Sequence, residues 1–252
     1  MAELDPEEFY DFTQLRPFTR IDDQGQRSLL WPSNEFFYWK GEPHSRDLLL
    51  FIGTEPHLKW KTYASNIVNL AAGYGTPIVI MLGGLLTAIP HTRQPRLSGT
   101  SSDPALRSTL EKMGAHSSNY QGPTGIGAVL MDGCNRLQIP YAGIWGHAPH
   151  YIQATSNPRV SLALLKSVSE LLSFPLDLES LRLAEIAFIE EMNRAVAKES
   201  QMAAYVQRLE QLYDEAEGSQ EEMPSPQAMV EELEQFLKRR QEKKADGEAN
   251  TQ

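Results

Sequence analysis

Cysteine is almost absent from this sequence, with Cys134 as the single one among 252 residues. An intrachain disulfide is therefore excluded, and the composition suits a reducing compartment. Long hydrophobic runs are also missing, because the longest one, Pro77 to Pro90, is interrupted by glycines and is too short to span a bilayer. The first residues have neither a basic region nor an apolar core, so we expect no signal peptide. These absences predict a cytoplasmic protein without membrane association.

Positive charge is in deficit, since 23 Lys and Arg against 33 Asp and Glu give a net charge of −10. Such a chain exerts no long-range attraction on nucleic acid, which is therefore not an expected partner. Gly-x-Ser-x-Gly and His-Glu-x-x-His, two common hydrolase signatures, are missing. His147 and His150 lie three residues apart, as metal ligands can, but the other four histidines are scattered and there is one cysteine, so we expect no metal and no cofactor.

Apolar patterns in the first half predict an α/β fold. The run Arg46 to Ile52 is typical of a strand covered on both faces. Apolar residues then recur at helical spacing from Leu58 to Ala72, and a second buried strand, Pro77 to Leu82, ends in Gly83-Gly84. This order predicts a βαβ unit with a right-handed crossover.

Local signals predict further elements along the chain. They are a hairpin turned around Asp23-Gln24-Gly25, an aromatic strand from Asn34 to Trp39, a helix from Asp103 to about Met113, a helix from Pro158 to Ser173, and one long helix from Asp177 to about Tyr213. The stretch Tyr120 to Tyr151 supplies a Gly-Pro turn, an apolar helix and a strand that ends in Gly146, His147 and His150.

Three parts follow from this organisation. We predict an α/β core domain over residues 1–174 and a long helix over residues 175–214 that packs on the core. Residues 215–252 hold an acidic linker, an amphipathic helix and a tail that we expect to be disordered.

Polar or small residues follow the ends of the predicted strands. In open parallel sheets, ligands bind just beyond the carboxyl ends of the strands. Gly53-Thr54-Glu55, Gly83-Gly84 and Gly146-His147 mark three strand ends, and a loop after the second carries His91 and Arg93. The turn before the apolar helix also has free backbone N–H groups. The candidate crevice, for an anionic or nucleoside-like ligand, comprises Glu55, Gly83, Gly84, His91, Arg93, Thr124, Gly125, His147 and His150.

Each candidate also has a purely structural alternative. His91 and His150 are equally explained as histidines that bond loop carbonyls. Glu55 suits a cap for the helix that begins near Leu58 as well as a general base. Arg93 between two prolines fits a loop-to-body ion pair, and the Gly-Pro turn fits a tight loop that starts a buried helix. Cys134 among apolar residues is typical of a small core residue.

Several short motifs occur in order and together resemble one family. They are Gly53-Thr-Glu-Pro56 with Trp60, Leu82-Gly-Gly84, Pro90-His-Thr-Arg93, Tyr120-Gln-Gly-Pro-Thr-Gly-Ile126, Trp145 with Pro149-His-Tyr151, and Asn157-Pro158. This succession, from about Phe9 to Tyr213, resembles the proteasome assembly chaperone type two family in its bacterial branch. The resemblance implies a three-layer αβα sandwich of the phosphorylase/hydrolase-like kind, here with a C-terminal helical extension, and often an oligomer. It implies no established catalytic residue.

One departure from the family pattern concerns the start of the chain. Members usually begin with an additional strand and helix before the stretch that resembles Glu8-Phe-Tyr-Asp-Phe12, and here Met1 lies almost directly on that stretch. We expect either loss of this unit or an internal start. Loss of a strand would leave an unpaired sheet edge or an uncovered apolar face, which favours association.

Three functions remain open at this point. The leading hypothesis is a chaperone-like, non-enzymatic assembly or protein-interaction factor, homo-oligomeric, with a proteasome subunit as partner only if the host has a proteasome. The alternative is a small-ligand binder or enzyme that uses the candidate crevice. The third is a plain homo-oligomeric structural protein.

Overall fold

The computed structural model describes residues 2–41, 46–117, 120–152 and 156–219. The strands are β1 (Ala2–Glu3), β2 (Phe18–Ile21), β3 (Arg27–Leu30), β4 (Glu35–Trp39), β5 (Leu48–Ile52), β6 (Val79–Thr87), β7 (Leu97–Thr100), β8 (Ala115–His116) and β9 (Tyr141–Pro149). The helices are α1 (Trp60–Gly73), α2 (Pro104–Lys112), α3 (Ile126–Arg136), α4 (Pro158–Leu172), α5 (Glu179–Ala197) and α6 (Ser200–Ser219). The predicted α/β class and the C-terminal helical part are confirmed.

The strands pair in three groups, β1-β4-β5, β2-β3 and β6-β9-β7-β8. In the last group β7 runs parallel to β8 and antiparallel to β9, so the sheet is mixed. β5 and β6 lie in different sheets, and the prediction of a βαβ unit in one sheet is therefore wrong. β5 instead pairs antiparallel with the aromatic strand β4, where the rings of Phe36 and Phe51 lie 4.6 Å apart between centroids.

β5 has one covered face. Leu49 and Phe51 pack against the core of buried residues, whereas Leu50 and Ile52 are 49% and 64% exposed. The expectation of a strand covered on both faces is wrong, because side chains alternate between the two faces of a strand and a run of apolar residues does not show which face is packed.

One predicted strand end is also wrong, because β6 continues through Gly83-Gly84 to Thr87. β9 ends at Pro149, within the stretch Gly146 to His150 where its end was predicted. The glycines make room for close neighbours: a Cβ built at Gly83 would lie 2.5 Å from Cζ3 of Trp145. Glycine inside a strand marks such an approach as readily as it marks a strand end.

Contacts between residues divide the chain into two compact units. The first contains the described residues of ranges 1–81, 101–106 and 119–142, and the second contains those of 82–100, 107–118 and 143–252. The chain therefore enters each unit more than once. The boundaries predicted at residues 174 and 214 stay a prediction.

The core of the first unit forms where α1 packs on α3. Tyr63 and Val68 of α1 meet Leu130 and Cys134 of α3 in one cluster of buried side chains. Cys134 is fully buried, and burial raises the pKa of its thiol to about 11. The prediction of a small core residue is confirmed.

Short-range signals locate several elements correctly. The hairpin β2–β3 turns at Gly25, whose φ of 77° favours glycine. Asp103 Oδ1 accepts a hydrogen bond from Leu106 N at 2.8 Å at the start of α2. Asn157 Oδ1 accepts one from Val160 N at 3.2 Å at the start of α4, and Asp177 Oδ1 accepts one from Glu179 N at 3.1 Å.

The long helix predicted from Asp177 to Tyr213 is instead two helices, α5 and α6, separated at Lys198-Glu199. Apolar spacing of three and four continues through both helices, which is why the pattern conceals the break. α6 extends to Ser219, past the predicted start of the acidic linker at residue 215. The amphipathic helix predicted after the acidic linker lies outside the described residues. Among the described helices, none has the length and apolarity that a membrane crossing requires.

Gly146 allows α4 to pack directly on β9. A Cβ built there would overlap Val160 Cγ1 and lie 3.2 Å from Leu164 Cγ. We expect Gly146→Ala to lower the free energy of unfolding by about 1–3 kcal/mol, as overpacking does. Urea unfolding measures the change. Gly84→Ala in β6 is the matched control, since no described atom lies within 4 Å of a Cβ at that position; an equal loss in both variants would contradict the packing argument.

Candidate functional site

The nine candidate residues divide between the two units. Glu55, Thr124 and Gly125 belong to the first unit, and the second contains Gly83, Gly84, His91, Arg93, His147 and His150. The crevice as one set of nine residues stays a prediction. Within the described part of the chain, no group of three His, Cys, Asp or Glu side chains is placed to hold a metal ion.

Glu55 caps a helix in the first unit, but a different one from the helix predicted. Its Oε1 accepts a hydrogen bond from Ile126 N at 2.6 Å, at the start of α3. Gly125 is the N-cap of α3 and has no side chain to offer, so a carboxylate from a distant part of the chain fills that role. The prediction that Glu55 caps the helix beginning near Leu58 is wrong. The Gly-Pro turn does start a buried helix, as predicted. The N–H of Ile126 at that start donates to the carboxylate of Glu55.

A buried amide in the first unit was not identified from the sequence. Asn34 is fully buried, and its Oδ1 accepts a hydrogen bond from the Tyr63 hydroxyl at 2.9 Å. The Tyr10 hydroxyl donates to Thr54 O at 2.7 Å. Burial raises the pKa of Tyr63. These contacts hold the end of β5 in place, and a lone asparagine ahead of an aromatic strand gives little signal of such a role.

His91 in the second unit is 3% exposed and has a partner for each ring nitrogen. The backbone N–H of His91 donates to the Tyr151 hydroxyl at 2.8 Å, and that hydroxyl lies 2.7 Å from Nδ1. Asn193 Oδ1 can only accept, so Nε2 carries a proton and donates to it at 3.1 Å; in the neutral ring Nδ1 then accepts the proton of the Tyr151 hydroxyl. Burial lowers the pKa of His91 and favours this neutral form. The bonds favour the structural alternative for His91.

Arg93 forms the loop-to-body ion pair that the sequence predicts. Its Nε and Nη2 each donate to a carboxylate oxygen of Asp214 at 2.8 Å, and Nη1 lies 3.3 Å from Glu210 Oε1. The hydrogen bond from Arg93 lowers the pKa of Asp214. Because both carboxylates lie on α6, the loop that carries Arg93 is tied to that helix.

His150 bonds a backbone carbonyl of β6. Its Nδ1 lies 3.1 Å from Thr87 O, which can only accept, so Nδ1 carries the proton. The Tyr205 hydroxyl lies 3.2 Å from Nε2 and donates to it. Tyr205 is on α6, and no sequence motif links it to His150.

A small cavity in the second unit brings together three candidates, His91, Arg93 and His147. It is also lined by Asn157 and Arg159, which sequence reasoning did not place in the site. Arg159 is a cation inside a strongly apolar helix, and that contrast is the signal that identifies it. Asn157 was recognised only through the Asn157-Pro158 pair at the start of a helix.

Arg159 is 9% exposed and connects three segments of the second unit. Its Nη1 donates to His91 O at 3.2 Å, and its Nε lies 3.7 Å from Glu185 Oε1 of α5. Nε has no hydrogen-bond partner among the described residues. Burial lowers the pKa of Arg159, while Glu185 opposes that shift.

Acid should weaken the second unit through its buried imidazoles. Burial, together with the charge of Arg96, lowers the pKa of His147, so the unfolded chain takes up the proton first as pH falls. The contribution of the neutral His147 ring to the free energy of unfolding is then lost as pH falls below about 6.5. We expect His147→Gln to reduce this loss, measured by urea unfolding at about pH 7.5 and about pH 5.5. The exposed His116, as His116→Gln, is the control, and an unchanged loss in His147→Gln would contradict the assignment.

Removal of the Arg93 guanidinium should be detected at Asp214. We expect Arg93→Gln to raise the pKa of Asp214 towards the ordinary value of an aspartate, because its strongest hydrogen-bond donor is lost. Carbon-13 NMR of the carboxyl groups measures this pKa. Asp47, whose pKa is lowered by the Tyr38 hydroxyl, is the internal control and should not change. A constant Asp214 pKa would show that the ion pair is not formed in solution.

Comparisons with known proteins agree on one family. The model of the PAC2 family matches residues 1–196. A PAC2 family protein of Streptomyces avermitilis is 33% identical, with a TM-score of 0.72, over 82% of this chain and 86% of that chain. The proteasome-assembly chaperone homologue of Mycobacterium tuberculosis is 30% identical, with the same TM-score of 0.72 and the same coverage of 82% and 86%. An archaeal proteasome activator of Pyrococcus furiosus, 19% identical with a TM-score of 0.56 over 71% of this chain and 76% of that chain, shares the fold. Among curated protein sequences, none matches. The chain belongs to the PAC2 family.

Proposed function

We propose that this protein is a non-enzymatic assembly or protein-interaction factor that acts in the cytoplasm as a homo-oligomer. In a host with a proteasome, we propose a proteasome subunit as its partner. The names of two structural relatives support the partner: one is a proteasome-assembly chaperone homologue and the other a proteasome activator. The observation that carries the proposal is the exposed apolar hairpin β2–β3 of the first unit.

Every residue of the two strands of this hairpin is exposed. Phe18 is 69% exposed and lies opposite Leu30, which is 48% exposed, so the pair forms an apolar patch on one face. Ile21 and Leu29, on the other face, are 58% and 56% exposed. Both faces of the hairpin therefore present large apolar side chains to solvent.

Such a hairpin suits protein contact. A two-stranded hairpin is only marginally stable in water, and exposed contiguous apolar patches in soluble proteins commonly mark interaction sites. Each strand also has one edge unpaired in the described ladders, where a partner strand can add by main-chain hydrogen bonds. The occupant that we propose is the partner protein.

The candidate catalytic groups support a non-enzymatic role. Glu55 bonds the start of α3, Arg93 bonds two carboxylates, and the ring nitrogens of His91 and His150 have partners inside the protein. A general acid, base or nucleophile has to reach the atoms of a substrate. These side chains are committed to holding the fold.

Self-association has a separate candidate surface. Leu183 and Ile186 of α5 are 60% and 55% exposed and lie three residues apart, on one face of the helix. A face of this kind can pair with its own copy across a two-fold axis. We propose it as the contact between copies.

Removal of apolar surface from the hairpin should weaken partner binding. We expect the double variant Phe18→Thr, Leu30→Thr to bind the purified proteasome subunits of the host about tenfold or more weakly, because large apolar anchors dominate interface energy. Threonine retains the preference for a strand. Surface plasmon resonance measures the affinity, and native mass spectrometry on the same samples measures the oligomer.

The control is Leu58→Thr, which removes an exposed leucine, 51% exposed, outside the hairpin. Equal binding by the wild type and the double variant would refute the hairpin as the partner surface. Loss of the oligomer in the double variant would instead assign the hairpin to contact between copies.

A further inference from the structure

Strand β2 of the hairpin places an arginine between the two most exposed apolar side chains of the two strands. Phe18 is 69% exposed and Ile21 is 58% exposed, and Arg20 between them is exposed as well. Arg20 belongs to none of the ion pairs that the described residues form. Its guanidinium can therefore meet a carboxylate of another molecule.

The backbone of β2 offers main-chain groups to a further strand. Asp22 N donates to Gln26 O at 3.1 Å at the tip of the hairpin. Bonded and non-bonded pairs alternate along an antiparallel ladder, so Arg20 lies at the next bonded position, opposite Ser28. The N–H and C=O groups of Thr19 and Ile21 then point away from β3, to the edge that is unpaired in the described ladders. This edge is called the β2 edge below.

The side chains of β2 define the order of residues that a partner strand needs. Phe18 and Arg20 lie on one face of the hairpin, and Thr19 and Ile21 lie on the other. In antiparallel pairing, residues directly opposite each other share a face, and pairs of apolar residues or of opposite charges stabilise the sheet. A matching strand therefore reads apolar, acidic, variable, apolar, with its acidic residue opposite Arg20.

The charge around the hairpin differs from the charge of the whole chain. Residues 16–31 contain three arginines and two aspartates, whereas the net charge of the chain is −10. One of these aspartates, Asp22, is held within the turn, because its Oδ1 accepts hydrogen bonds from Gln24 N at 2.9 Å and from Gln26 N at 2.8 Å. The chain as a whole repels an acidic segment, but salt screens that repulsion beyond about 8 Å. Direct contact with Arg20 then decides the preference of the β2 edge.

We propose that the β2 edge binds an extended segment of the partner protein whose residues read apolar, acidic, variable, apolar. Main-chain hydrogen bonds to Thr19 and Ile21 align the segment, and Arg20 binds its carboxylate. The planar guanidinium suits this role because it can donate two parallel hydrogen bonds to one carboxylate. The inference rests on the proposed function, in which the hairpin is the partner surface, and it names the chemistry of the segment that the partner supplies.

The test titrates two synthetic peptides separately into the full chain, Thr-Val-Glu-Thr-Val-Thr and the same peptide with lysine in place of glutamate. Both have acetylated and amidated ends, so that only the central charge differs. Hydrogen–nitrogen NMR follows the amide signals of Thr19 and Ile21. We expect both signals to shift saturably with the glutamate peptide, which should bind about threefold or more tightly than the lysine peptide. No shift of these two signals with either peptide at millimolar concentration overturns the proposal.

Reversal of the charge at Arg20 should reverse the preference. We expect Arg20→Glu to bind the lysine peptide about threefold or more tightly than the glutamate peptide. Arg27→Glu is the matched control, because it makes the same change of charge in the same hairpin, but on β3 and on the other face. It should retain the preference for the glutamate peptide.

An equal change of preference in both variants would show that only long-range charge acts, and it overturns the proposal. If Arg20→Glu fails to fold, the wild-type titrations decide, since equal affinities for the two peptides also overturn it. Dissociation of an oligomer by the glutamate peptide, measured by native mass spectrometry, would assign the β2 edge to a second copy of the chain and would overturn the partner segment.

Failure of this inference is distinguishable from failure of the proposed function. The variant Phe18→Thr, Leu30→Thr tests the hairpin with proteasome subunits and does not depend on either peptide. If that variant loses subunit binding while the peptides show no preference at Arg20, the hairpin stands as the partner surface and the acidic segment is wrong. If the variant binds the subunits as the wild type does, the partner surface itself is wrong.

Discussion

The buried guanidinium of Arg159 imposes the constraint around which the second unit is arranged. A charge removed from water has to be paired and hydrogen-bonded, or the fold carries a large penalty. Arg159 meets this demand with the carbonyl of His91 on one side and the carboxylate of Glu185 on the other. Helix α4, helix α5 and the loop that carries His91 are therefore held to one another by one side chain.

The same loop is held by side chains that come from much later in the chain. Tyr151 and Asn193 bond the ring of His91, and Asp214 and Glu210 bond Arg93. His91 and Arg93, which look reactive in the sequence, therefore hold the backbone of their loop in place. Chemistry at this loop would need these groups to exchange internal partners for a substrate.

The first unit is arranged by a different principle, in which distant polar groups satisfy buried or terminal backbone. Glu55 completes the start of α3, and Asn34 with its two tyrosines holds the end of β5. These contacts stabilise a body from which the apolar hairpin β2–β3 extends. The exposed apolar side chains of this hairpin are the feature on which the proposed protein contact rests.

Sequence by itself determined the features that neighbouring residues control. Asp103, Asn157 and Asp177 mark helix starts because their side chains cap amides two or three residues away, and Gly25 marks the hairpin because its own φ requires it. The motifs in their order also identified the family. Only the tertiary structure decided which strand β5 pairs with, that β6 continues past Gly83, and that Glu55 serves α3. Each of these depends on a residue far away in the chain, and no local pattern of side chains specifies which distant group will arrive.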